Sequence, residues 1–185
     1  MTAGIRLLAA ALLLLPGVTT AAHGPLTAVV FEGETYVRVH AERQSSGNRM
    51  VQFLREPETF ENWTRAIAYY RYATIGNDPT QAAYSLRDSV RAANPDTQPR
   101  IVVHSVTRDA LVDFLTWPAD GRYLEFTVVR YSRSTDGKGL VAFQFSHRFR
   151  DATKDDAEKF NKIRSSWKEH ALEFDMWKVH DTFGD

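Results

Sequence analysis

Between Arg100 and Arg150 the apolar residues recur at every second position through four successive runs, and only a few turn residues separate each run from the next. The runs are Ile101–Thr107, Leu111–Trp117, Gly121–Ser132 and Gly139–Arg150. Arg108-Asp109-Ala110, Pro118-Ala119-Asp120 and Ser134-Thr135-Asp136-Gly137 connect them. Period two is the signature of strands with one face buried. A parallel crossover needs a dozen or more residues, so these connections permit only antiparallel neighbours. This half of the chain therefore predicts a meander.

The preceding half adds strands and one clear helix. Leu26–Phe31 is a short apolar segment. Thr35–Arg43 and Asn48–Glu56 flank the turn-rich Gln44-Ser45-Ser46-Gly47 and predict a hairpin. Thr64–Tyr72 follows as a further strand, its Tyr69 and Tyr70 pointing to opposite faces. Asp78 before Pro79 opens a helix with Ala82, Ala83, Leu86, Val90 and Ala93 on one stripe, and Asn94-Pro95 ends it. A second helix starts near Thr153, with Asp155 and Asp156 at its positive end and Phe160, Ile163, Trp167 and Ala171 as its buried stripe. Lys154, Lys159, Lys162 and Lys168 lie among acids and read as a solvated face. Leu172–Phe183 is apolar enough to return to the body. The expected fold is α+β: an antiparallel sheet of about six to seven strands carrying two main helices.

The N-terminus reads as an address. Arg6 is the only charge among the first 22 residues, Leu7–Leu15 is an apolar run of nine, and Pro16-Gly17 precedes the small residues Val18 to Ala22. Nine residues are too few to span a bilayer, which takes about 20, but suit a signal peptide cleaved after Ala21 or Ala22. Residues 1–22 are then signal peptide and 23–185 a single α+β domain, with no later run of membrane-spanning length. Arg outnumbers Lys by 17 to 6, a skew produced by GC-rich coding, which with the signal points to a periplasmic or secreted bacterial protein.

Composition removes several functions. Lys and Arg total 23 against 23 Asp and Glu, so the basic excess that holds nucleic acid is missing. Cys is absent, which excludes disulfides, thiolate metal sites and Cys nucleophiles. No Gly-rich phosphate loop, G-x-S-x-G elbow or H-E-x-x-H pair occurs. His40 and His104 sit among Val residues, His147 between Phe145 and Phe149, and His170 and His180 are ten apart, so neither metal nor cofactor is expected.

Two surfaces remain as candidates. Pairing across a 134–137 turn sets Tyr123 opposite Arg148, Glu125 opposite Ser146 and Thr127 opposite Gln144, with Glu125 diagonal to Arg148. Leu124, Phe126 and Val128 then share an apolar face with Phe143 and Phe145. The opposite, polar face of Tyr123, Glu125, Gln144, Ser146 and Arg148 is the first candidate, with an exposed Glu125–Arg148 ion pair and Arg148 as anchor for a partner's carboxylate. The second is aromatic: Trp63, Tyr69, Tyr70 and Tyr72, beside Phe60, Arg65 and Arg71, could stack on glycan or peptide, or form sheet core.

Glu58-Thr59-Phe60-Glu61-Asn62-Trp63-Thr64, lying between two strands, resembles a segment that recurs near the N-terminus of uncharacterised secreted bacterial proteins. The order hairpin, helix, antiparallel strands and terminal helix, with Trp167 and Phe174 near its end, resembles the PsbP-like α/β/α sandwich. That likeness implies an accessory, non-enzymatic factor and transfers no catalytic residue. The expectation is a non-catalytic periplasmic accessory or binding module with an unknown envelope partner. The alternatives are a small envelope hydrolase using His104 or His147 with a nearby acid such as Asp113, or a carrier of an apolar ligand.

Overall fold

The strands form one antiparallel sheet. The computed structural model describes residues 26–118, 121–150, 152 and 157–184, without the side chains of 157–159 and 161–162. The signal segment with His23, the Thr153 cap with its acids, and the side chains of Lys154, Lys159 and Lys162 lie outside the described residues, as does part of the 118–120 turn.

The strands are β1 (Ala28–Phe31), β2 (Glu34–Arg43), β3 (Arg49–Leu54), β4 (Arg65–Tyr72), β5 (Arg100–Val103), β6 (Ala110–Thr116), β7 (Tyr123–Arg133) and β8 (Leu140–Arg150). The helices are α1 (Pro79–Ala93), α2 (Ala157–Glu173) and α3 (Trp177–Phe183). Among the described residues, eight strands and three helices exceed the expected six to seven and two. The class, α+β on an antiparallel sheet, is as read from the sequence.

The spatial order is β1-β2-β3-β4-β8-β7-β6-β5, so two four-strand meanders meet at β4 and β8. α1 carries the chain from the centre of the sheet to its far edge, and β5–β8 then returns inward. Burial explains the direction. β8 has five fully buried apolar positions and suits the centre, whereas the four residues of β5 include no fully buried one and suit an edge.

Side chains separate cleanly by parity. One face carries Phe31, Phe53, Ile67, Tyr69, Phe126, Val128, Phe143 and Phe145 against Trp167, Ala171, Phe174, Val179 and Phe183 of the C-terminal helices and the link between them. Phe143 stacks on Phe174 with centroids 4.1 Å apart, and Trp167 meets Phe126 at 5.2 Å. The other face carries Val112, Phe114, Val129, Tyr131 and Ala142 against Ala82, Ala83, Leu86 and Val90 of α1. α1 forms as expected: the Asp78 carboxylate accepts from Thr80 N (2.8 Å) and Gln81 N (3.2 Å), and Pro79 begins the first turn.

Buried arginines tie α2 down. Arg130, on the α2 side of β7, donates from Nε and Nη2 to Asp109 Oδ2 at 2.9 and 2.6 Å. Its Nη1 faces the carbonyls of Ala171, Leu172 and Phe174, at 3.3, 2.5 and 2.9 Å, capping the end of the helix that has no intrahelical donors left. Arg164 of α2 reaches down to Asp113, which is fully buried.

Two local expectations change. β5 stops at Val103 rather than Thr107, because the His104 ring closes a turn: Nδ1 accepts from the backbone of Val106 (3.3 Å) and Thr107 (3.1 Å). The β7–β8 register is also two residues from the one expected. Ser134 N donates to Gly139 O at 3.0 Å, so the four loop residues are 135–138, one position later. Asp136 Oδ1 organises that loop, accepting from Ser134 Oγ and Lys138 N at 2.5 and 2.8 Å. Tyr123 consequently pairs with Arg150, Glu125 with Arg148, Thr127 with Ser146 and Val129 with Gln144. A shift of two preserves every side chain's face, which is why the polar row survives the error.

Candidate functional site

The Glu58–Thr64 segment closes on itself. Asn62 Oδ1 accepts from Thr59 N at 2.7 Å, and Trp63 N donates to Thr59 O at 2.9 Å. Glu58 Oε1 accepts from Thr64 N (3.1 Å), Thr64 Oγ1 (2.5 Å) and Arg55 Nη2 (2.6 Å). Burial raises the Glu58 pKa, but the bonds from Arg55 and Thr64 outweigh it and leave the carboxyl below its ordinary value. Arg55 also holds Glu34, which pairs with Arg65 at 2.8 Å. The loop is thereby fixed at both ends, and Trp63 is driven inward to 1% exposure beside Leu54 and Ala66.

Trp63 lands on the polar row of the sheet. The Arg148 guanidinium carbon lies 3.7 Å from the Trp63 ring and 4.6 Å from the Tyr123 ring. Arg148 N donates to Thr64 O at 2.7 Å, and Arg148 Nε to Glu125 Oε2 at 2.9 Å. Behind this pair, Thr127 Oγ1 and Ser146 Oγ are 3.0 Å apart and Gln144 Nε2 donates to Ser146 Oγ at 3.0 Å. Tyr123, Glu125, Gln144, Ser146 and Arg148 thus share one face, as the parity of the strands requires.

The ion pair is not exposed, however. The Glu125 and Arg148 side chains retain 5% and 12% of their surface, because the 55–64 loop covers that end of the sheet. Burial pushes the Glu125 carboxyl above its ordinary pKa, against the opposing pull of Arg148. The Trp63 indole N–H is buried with no acceptor. Leaving such a donor unpaired costs about 1–3 kcal/mol, so stacking and packing, not a hydrogen bond, keep the indole over Arg148.

The aromatic candidates do not form a surface. Tyr69 is fully buried on the α2/α3 side, Trp63 is buried on the other, and Tyr70 and Tyr72 stack at 5.5 Å beside α1. Trp63 packs on Arg148 of the polar row, and Tyr70 lies near enough to Glu125 for the carboxylate to add to the upward shift that burial gives its hydroxyl. No local pattern marks the roles of Arg130, Asp109, Arg55 and Glu58, because their partners are 21 residues away or lie within a loop; the Thr59/Asn62 spacing is the one local signal for the loop.

The groups considered for hydrolysis are dispersed. His104 serves its turn, Asp113 is engaged by Arg164, and Ser146 faces away from its neighbour His147. His147 packs against Phe149 (4.1 Å) and Trp167 (4.8 Å); burial first, then Arg65 and Arg55, lower its pKa to about 3. His170 meets both Glu32 and Ser166, but through the same Nδ1, so the ring cannot relay a proton between them. Among the described residues no group of three or more His, Asp or Glu could hold a metal ion. No helix there is long and apolar enough to cross a membrane. A cavity of about 200 Å³ lies among Asp96, Thr97, Gln98, Leu115, Trp117 and Arg164, below the roughly 300 Å³ at which ligand pockets begin.

No curated protein matches the chain. A family model matches residues 24–178, a span that includes the Trp63 loop, the polar row and both long helices. The chain therefore belongs to that uncharacterised bacterial protein family.

Proposed function

We propose that this protein is exported and acts in the bacterial envelope as a non-catalytic accessory or binding module, with the Trp63–Arg148–Tyr123 cluster as its recognition point. The observation that carries the reading is the fate of the carboxylates. Asp109, Asp113, Glu125 and Glu58 are each held by an arginine within the fold, so they position helices and loops instead of offering a base to a substrate. Export rests on Arg6, the Leu7–Leu15 run and the small residues up to Ala22. The PsbP-like layout belongs to the same reading, supported by an antiparallel sheet with helices on both faces.

Expression of the full chain in a secreting bacterium tests the proposal. Intact mass of the soluble periplasmic product should correspond to a start at His23 or Ala22. Retained Met1 on a membrane-bound product refutes export. Turnover of ester, amide or glycoside substrates that survives purification and is lost on His104 or His147 substitution refutes the non-catalytic assignment.

A further inference from the structure

The geometry points to a receptor for a flat carboxylate group at the outer edge of Arg148; the inference rests on the binding-module reading and names its ligand chemistry. A guanidinium offers two faces and two in-plane edges. Trp63 and Tyr123 pack against it, at 3.7 and 4.6 Å from the central carbon, and Glu125 takes Nε. The Nη1/Nη2 edge is left over. Neither nitrogen has an acceptor among the described residues, and neither is sealed from solvent.

This edge is preorganised. Rotation of the side chain is blocked by two rings and by a buried carboxylate, so a ligand meets a fork whose orientation is already fixed. Two parallel N–H groups match the two oxygens of a carboxylate. Glu125 neutralises part of the Arg148 charge, and Arg150, directly across from Tyr123, is exposed beside it. The unpaired indole N–H of Trp63 fits the same account, since a side chain held at a cost is commonly held for function.

Titration of the full-length exported protein with benzoate, followed through the Arg148 Nε–Hε NMR signal, tests the inference. The signal should shift saturably at millimolar benzoate. N-acetyl-glycyl-phenylalanine, with a free C-terminus, distinguishes a chain terminus from a small free carboxylate, and its carboxamide should bind at least tenfold more weakly. Arg148→Lys keeps the charge, removes the fork and should weaken benzoate at least tenfold. Glu125→Gln removes the competing charge and should tighten it several-fold, a gain that a purely structural Arg148 would not give. If Arg148→Lys does not fold, by loss of amide dispersion, the Glu125→Gln arm decides alone. No shift with either acid, equal response to inorganic phosphate, or unchanged affinity in Glu125→Gln overturns the inference. Any of these results leaves the export and catalysis tests above untouched.

Discussion

Arg130→Met removes the cation that joins β7, the 104–109 turn and the end of α2. Arg130 and Asp109 keep 10% and 6% of their side-chain surface, so the carboxylate left behind is a buried, unpaired charge. Breaking such a pair from one side costs about 3–5 kcal/mol. The carbonyls of Ala171, Leu172 and Phe174 also lose their donor, so the upper part of that range is expected. At a urea slope of about 2 kcal/mol per molar, the unfolding midpoint should fall by roughly 1.5–2.5 M. Removing the charge as well reverses part of the loss. Asp109→Asn in the Arg130→Met background should restore at least about 1 kcal/mol, although Asp109→Asn alone destabilises. Equilibrium urea unfolding followed by circular dichroism of the four proteins gives both numbers. A cost below about 1 kcal/mol for Arg130→Met, or two additive losses, would refute the reasoning.

His147 should impose a pH dependence. Its folded pKa of about 3 lies below the ordinary 6.5, so the unfolded chain binds the extra proton first and stability falls as pH drops below 6.5. Between pH 7 and pH 4 the loss should approach about 3 kcal/mol, and His147→Phe should flatten that part of the curve in denaturant titrations. Gly139 has φ +154°, and an added Cβ would stand 2.1 Å from Tyr72 O and 2.5 Å from Arg71 Nη1. The backbone oxygen cannot move aside, so Gly139→Ala should lower the midpoint by at least about 2 kcal/mol equivalent, while Ala at the open Gly33 costs less. Arg148→Ala should cost about 3–5 kcal/mol by thermal or urea unfolding, since it strands the buried Glu125; a cost near zero would mean that the pair is solvated. Thermal melts with and without chelator should coincide, and a drop of several degrees with chelator would reveal a metal site.

Amino-acid order alone determined the local elements. The Asp78-Pro79 start and Asn94 end of α1, the strand character of 100–150 and the face of every residue on β7 and β8 follow from chain sterics and period-two alternation, which need no distant partner. Local turn signals served less well. Ser134-Thr135-Asp136-Gly137 is turn-like, yet the side-chain bonds of Asp136 centre the loop one residue later, and that moved the pairing of Glu125 from Ser146 to Arg148. Tertiary structure decided the rest. That β8 lies beside β4 and β5 at the far edge depends on which strand can bury both faces, a property of the whole sheet. The candidate site is decided there too. Trp63 and Arg148 are 85 positions apart, and neither signals the other in the sequence. They meet because β4 and β8 are neighbours and the 55–64 loop, pinned by Arg55, Glu58 and Asn62, brings its indole back against the sheet.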